Sequence, residues 1–175
     1  MLKIEPIGVV RSSISAPSLV AKKEGIELQE SLEEVVSRHR AQREKVSEIV
    51  IEPCWQELLD GIEGFSHLVV LFWAHLLPEE RRSLRKVHPM GVRDNPLTGI
   101  FATRSPARPN PVLMTVVRLL SRQGNVLRVR GLDAVDNSPV VDIKPYVPEA
   151  IPPEEVQVPD WMARIQRQHR QNEAE

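Results

Sequence analysis

From Phe65 onwards the sequence is dominated by β-branched and aromatic runs, joined by short turns or loops rather than by regular crossover helices. Parallel strands need a crossover of a dozen or more residues, usually helical, so this order disfavours a doubly wound sheet. It favours an antiparallel barrel or sandwich with helices at its periphery. FSHLVVLFWAHLL, Phe65 to Leu77, is almost unbroken apolar sequence between Gly64 and Pro78 and reads as a strand buried on both faces. At thirteen residues it is too short to cross a bilayer. VLMTVVRLLS and VLRVRGL form a hairpin, because Gln123, Gly124 and Asn125 between them supply turn chemistry. Lys3 to Arg11, Ile49 to Ile51 and Val140 to Ile143 add short strands, and SSISAPSLV after the first of them is a loop.

Helical patterning sits at the margins. Leu28, Leu32, Val35, Val36, Val46 and Ile49 recur at spacings of three and four among Glu, Arg, Gln and Lys, which predicts an amphipathic helix broken around His39 to Lys45. Ser31 and Glu34 fit a capping box at its start, and its polar middle, RHRAQREK, projects or packs on another subunit. Pro78 to Lys86 is a short helix with Pro first and Glu79 and Glu80 in its first turn. After the linker-like PEAIPPEEVQVP comes a terminal helix, WMARIQRQHRQ, that frays at Asn172 to Glu175. The expected fold is mainly β (α+β): one antiparallel β-barrel-like domain over residues 1–150, with a helical insertion at about 25–48, followed by a C-terminal extension, 151–175, carrying a short helix.

At 175 residues, 41% hydrophobic and 27% charged, the chain has the balance of one soluble globular domain. Its net charge of -1 advertises no nucleic acid, so such binding falls to a local patch. Arg81, Arg82, Arg85, Lys86, His88 and Arg93 make one, which reads either as phosphate contacts or as a solvated surface. The single cysteine, Cys54, forms no internal disulfide, and MLKIEPIGVV lacks the features of a signal peptide, so the cytoplasm is the expected location. No histidine or cysteine spacing suits a metal, and no GxGxxG follows a strand.

Two polar segments remain. In TRSPARPNP, Pro106, Pro109 and Pro111 restrict both themselves and the residues before them, giving a stiff loop that presents Arg104, Arg108 and Asn110. Such a loop binds a carboxylate or phosphate, or else is a structural corner whose arginines pair with Asp133 or Asp136. In LDAVDNSPVVDIKPYVP, strand alternation places Asp142, Lys144 and Tyr146 on one face, where they either converge for proton transfer or form a surface pair with an edge tyrosine.

IGVVRSS, GIEGFSHLVVLFWAHL, GIFATRSPARPNPV and LDAVDNSPVVDIKPYVP together resemble the TrmO family, also called TsaA-like or VirR-type proteins. These are S-adenosylmethionine-dependent methyltransferases with a β-barrel core. The resemblance covers Ile4 to Arg11 and Gly61 to Pro148. It implies N-methylation of threonylcarbamoyladenosine beside the tRNA anticodon by a homodimer, with S-adenosyl-L-methionine as cofactor and neither membrane nor metal. Cofactor contacts then fall at His75, Leu76, Arg104, Met114 and Asp136, Asn137, Ser138 and Pro139. A Pro-Arg-Gln string is implied in the first loop, where this chain has Pro17, Ser18 and Leu19, so only Pro17 carries over. Asp142, Lys144 and Tyr146 are the catalytic candidates, Asp142 or Tyr146 serving as base, and Arg82, Arg85, Arg108 and Asn110 are the substrate-binding ones. The helical segment looks like an insertion, and the chain stops soon after the barrel whereas many members carry a further C-terminal domain. A methyltransferase of this fold acting on a small molecule, and a non-catalytic dimeric cofactor-binding module, are the competing readings.

Overall fold

A computed structural model of the chain describes residues 3–17, 19–22, 25–28, 34, 37, 41–148 and 156–171. Its centre is a closed six-stranded antiparallel barrel. The barrel strands are β1 (Gly8–Arg11), β4 (Val46–Ile51), β5 (His67–Trp73), β8 (Val112–Gln123), β9 (Val126–Arg130) and β10 (Pro139–Pro145), arranged in the order β1, β10, β5, β8, β9, β4 and back to β1. Outside it lie two ribbons, β2 (Leu19–Lys22) with β3 (Gly25–Leu28), and β6 (Lys86–Val87) with β7 (Thr98–Gly99). The terminal helix, Asp160–Gln171, matches the predicted one.

Alternation explains how the barrel fills itself. On β5, Leu68, Val70 and Phe72 point inwards and are buried, while His67, Val69, Leu71 and Trp73 face outwards. The expected burial of this strand on both faces is therefore corrected to one: β5 pairs with β10 and β8, and its outer face is not covered by a helix among the described residues. With Val10, Ile49, Ile51, Val117, Leu127, Val129 and Val140 these side chains make one continuous core. Each such burial stabilises the fold by about 1.5–3 kcal/mol. A small barrel filled this way has no open lumen, so a ligand site must sit at one end.

The predicted helix near 28–48 is also corrected. Glu34, Ser37 and residues 41–44 are helical, but Gly25–Leu28 and Val46–Ile51 are strands. In β4 it is Ser47, Ile49 and Ile51 that are buried, at a spacing of two, while Val46 is exposed; the three-residue spacing of Val46 and Ile49 mimicked a helical stripe. The capping box at Ser31, residues 149–155 of the linker-like PEAIPPEEVQVP and the fraying at 172–175 lie outside the described residues. The Pro78–Lys86 helix is reduced to a 3-10 turn at Glu79–Arg81. The β8–β9 hairpin is as expected, with Gly124 at φ 60° in its turn.

Arg122 secures that hairpin. Its side chain donates to the carbonyls of Gly124 at 2.8 Å and Leu59 at 3.0 Å, and pairs with Asp60 at 3.1 Å and Glu63 at 3.2 Å. It thereby ties the hairpin turn to the 3-10 segment Pro53–Leu59.

Candidate functional site

β1 finishes, β10 starts, β5 finishes and β8 starts at the same end of the barrel. A cavity of about 710 Å³ opens there. Its floor is Phe72 and Leu113 from the barrel, and its walls are the loops that leave those strand ends.

The first loop contributes Ile14, Ala16 and Pro17. It is held by the turn before β10: Asp136 accepts the Ser12 N–H at 3.0 Å and donates its own N–H to the Ile14 carbonyl at 2.7 Å. Ser12 Oγ donates to the Ala134 carbonyl at 2.8 Å. Asn137, in the left-handed region at φ 63°, takes a side-chain bond from Arg11 and donates its N–H to the Val10 carbonyl. Asp136 and Asn137 thus position the first loop and do not line the cavity, whereas Ser138 does. Pro139 opens β10 and is likewise outside the lining.

Beyond β5 the chain turns sharply, with Leu77 N–H donating to the Ala74 carbonyl at 3.1 Å, and this presents His75 and Leu76 to the cavity. His75 Nδ1 lies 3.3 Å from Ser138 Oγ. The proline-rich loop supplies the opposite wall, and its two arginines have different employment. Arg108 Nε donates to the Ser105 carbonyl at 2.9 Å and its Nη2 to the Thr103 carbonyl at 2.6 Å. It is the structural corner of the loop, although its partners are backbone carbonyls and not Asp133 or Asp136. Arg104 makes one bond among the described residues, Nη2 to the Met114 carbonyl at 2.9 Å, and otherwise turns its guanidinium to the cavity and solvent. Asn110 does not line the cavity.

Four polar lining residues, Gln42, Thr103, Thr115 and Asp133, were not among the predicted site residues. Thr115 donates its hydroxyl to Asp133, and both face the cavity; Gln42 reaches it from the helical residues 41–44. Asp133 was visible only as one of a crowd of aspartates. Its distinguishing signal is an alternating partner, Thr115, on the neighbouring strand β8, which no local motif reveals.

Asp142, Lys144 and Tyr146 are not brought to this cavity. Val140 points into the core opposite Phe72, but the register shifts before Asp142, which pairs with the outward Leu71. This bulge inserts one residue and reverses the parity of the strand, so Asp142 and Lys144 face outwards. Their ion pair, at 2.6 Å, is on the surface, 64% exposed at the lysine and 41% at the aspartate. Tyr146 follows the strand, its N–H bonded to the His67 carbonyl. Arg82 and Arg85 line a separate groove. His88 is occupied within its own loop, its Nδ1 donating to the Asn95 carbonyl at 2.7 Å. Among the described residues no cluster of His, Cys, Asp and Glu can hold a metal ion, and no helix is long and apolar enough to cross a membrane.

A closed barrel with a loop-walled cavity at one end defines a small ligand-binding or enzymatic β-barrel, and comparison with known proteins makes the family specific. Residues 29–150 match the family profile of the tRNA-methyltransferase O N-terminal domain, and the chain belongs to that family. A probable S-adenosyl-L-methionine-binding protein of Methanothermobacter thermautotrophicus is 46% identical over 83% of this chain and 90% of its own length. Another so named, from Pyrococcus abyssi, is 33% identical over 94% of this chain and 78% of its own length. A crystal structure of TrmO from Pseudomonas aeruginosa is similar with a TM-score of 0.64 at 26% identity, covering 92% of this chain. The chain spans 62% of the length of that TrmO chain.

Proposed function

We propose that this protein is an S-adenosyl-L-methionine-dependent methyltransferase that methylates the exocyclic nitrogen of threonylcarbamoyladenosine beside the tRNA anticodon, acting as a homodimer in the cytoplasm. The observation that carries the reading is the convergence of three loops on one cavity, lined by Pro17, His75, Leu76, Arg104, Met114 and Ser138. Cavities of a few hundred to about 1,000 Å³ suit ligands of this size. The lining chemistry fits the cofactor. Arg104 offers guanidinium donors for a carboxylate, Ser138 offers a hydroxyl for a polar substituent, and Ile14, Pro17, Leu76 and Phe72 offer apolar walls for a purine.

When bound, S-adenosyl-L-methionine supplies a methyl group on a sulfonium and departs as the neutral thioether. The chain's own part is alignment, exclusion of water and handling of one proton. An acceptor nitrogen methylated in this way would have a hydrogen to give up, and the chain must supply a place for that proton. Asp133 is the carboxylate in the cavity, and the Thr115 hydroxyl orients one of its oxygens and leaves the other without a partner among the described residues. It replaces Asp142 and Tyr146 as the proton acceptor in this reading.

The homodimer reading is supported by the outer face of β8, where Met114, Val116 and Leu120 are exposed in alternation, with Arg118 the charged residue among them. Met114 also lines the cavity, so a second copy on this face lies against the site. Mass spectrometry of tRNA nucleosides from a deletion strain tests the substrate, together with methyl transfer by purified protein to tRNA from that strain. A nucleoside pool that is unchanged by deletion overturns the tRNA assignment and moves the reading to a small-molecule acceptor.

A further inference from the structure

The sequence between β7 and β8 builds two sites, and only one of them is the cavity. Gly99 to Ala102 line a second groove, of about 480 Å³, together with Arg82, Leu84, Arg85 and Pro109. Thr103, Arg104, Pro106 and Arg108 then line the main cavity. Phe101 stands on the divide between them and is 79% exposed.

That exposure is imposed by rigid surroundings. Ile100 is buried against Val87 and Leu84. Its N–H donates to the Arg85 carbonyl at 2.9 Å, and its carbonyl accepts from both the N–H and the hydroxyl of Thr103, at 3.2 and 2.8 Å. With Ile100 driven inwards on a 3-10 turn, its neighbour is presented to water. The backbone that carries the phenyl ring is secured on both sides, so only the ring's own side-chain freedom is left to lose when something lies on it. The groove beside it carries two arginines and no carboxylate in its lining. Arg82 is itself an example of the chemistry, its guanidinium lying 5.5 Å from the centre of the Trp73 ring.

We infer that this groove is a single-stranded nucleotide subsite, in which Phe101 stacks a nucleobase and Arg85 takes the adjoining phosphate. The inference rests on the RNA-substrate reading, and it assigns the nucleotide next to the one methylated. Planar bases stack on exposed aromatic rings irrespective of their identity, and unpaired loop nucleotides are the ones free to do so. A base held on Phe101 is one loop's width from the cavity, so it holds the RNA while its neighbour is turned into the site.

The test uses the full chain as Phe101→Ala, Phe101→Tyr and Arg85→Ala, with a fluorescent anticodon stem-loop RNA followed by anisotropy and cofactor binding followed by calorimetry. Phe101→Ala is expected to weaken RNA binding about tenfold while Phe101→Tyr stays within about twofold of wild type. Arg85→Ala is expected to lower the slope of log affinity against log salt by about one. Cofactor affinity and the melting temperature should not move in any of the three. A Phe101→Ala variant that binds the RNA as well as wild type overturns the subsite alone. Wild-type protein that binds no RNA overturns the substrate reading and the subsite with it. A change of oligomeric state in Phe101→Ala, with RNA affinity intact, assigns the groove to a protein contact and overturns the proposal as well.

Discussion

Arg108 and Thr103 are joined by a 2.6 Å hydrogen bond from guanidinium to backbone carbonyl, and the Arg108 Nε reaches the Ser105 carbonyl at 2.9 Å. The RSPARPNP loop therefore uses one arginine to hold its own shape and frees the other, Arg104, for a ligand. The two substitutions should separate. Arg104→Ala is expected to lower cofactor affinity at least tenfold, the scale of a lost charge-assisted hydrogen bond, at a stability cost of no more than about 1 kcal/mol for the one exposed bond to the Met114 carbonyl. Arg108→Ala is expected to cost about 1–3 kcal/mol of stability, because two carbonyls lose their donor. Calorimetry and urea unfolding on both variants check this; the opposite pattern would exchange the two roles.

Asp133→Asn keeps the shape of the side chain and a hydrogen-bonding partner for Thr115 but removes the proton acceptor. Methyl transfer is expected to fall by about 10²–10⁴ in single-turnover assays, with cofactor affinity changed only a few-fold. Asp142→Asn and Tyr146→Phe should leave the rate near wild type, since both residues are away from the cavity. If the rate falls with Asp142→Asn and not with Asp133→Asn, the chemistry belongs to the other face of the sheet.

Most of the barrel was legible because its signals are local. The apolar run that holds β5, the β-branched run that forms β8, and Gly124 with Asn125 between β8 and β9 need no knowledge of the rest of the chain. Two kinds of information were not local. Period-two alternation states which residues share a face, but the bulge between Val140 and Asp142 decides which face that is, and it is set by pairing with β5. Asp142 and Lys144 were correctly placed together and wrongly aimed. The β2–β3 ribbon was missed for a related reason: LVAK and GIEL are four residues each, too short for alternation to be distinguished from the helical spacing that follows. Within the site, Arg104 was legible from a motif, whereas Asp133 becomes distinct from Asp136 only once Thr115 and Ser12 are seen as their separate partners.

Gly8 sits in β1 between β4 and β10, paired with Ile51 and Val140. A Cβ added there would lie 2.9 Å from the Ile51 Cα and closer still to the Val50 carbonyl, both backbone atoms that cannot swing aside. Gly8→Ala is expected to lower stability by about 1–3 kcal/mol, the usual scale of overpacking. Thermal unfolding checks it; a variant as stable as wild type would mean that the seam between β1 and β4 can open without loss.

Arg122 is 12% exposed, and its charge is satisfied jointly by carbonyls and by the more exposed Asp60 and Glu63. The carboxylates are screened by solvent, so most of its contribution comes from the carbonyl bonds and from packing of its stem. Arg122→Lys retains the charge but cannot reach several acceptors from one planar group. It should destabilise almost as much as Arg122→Ala, each by about 1–3 kcal/mol in urea unfolding. Full stability in the lysine variant would mean that the charge, and not the hydrogen-bond fork, holds the hairpin to Pro53–Leu59.

Val116 is exposed on the outer face of β8, between Met114 and Leu120, and opposite the outward-facing Val69 of β5. A carboxylate placed there meets water in a monomer and apolar surface in a dimer built on this face, where Arg118 is the cation on its own face of the strand and burying the charge remains costly. Val116→Asp is therefore expected to shift sedimentation towards the monomer while leaving the barrel's far-ultraviolet spectrum unchanged. Because Met114 belongs both to this face and to the cavity, the same variant should also weaken cofactor binding, and raising the protein concentration should restore it. Wild type that sediments as a monomer removes the dimer from the reading; a Val116→Asp variant that stays dimeric moves the interface elsewhere on the molecule.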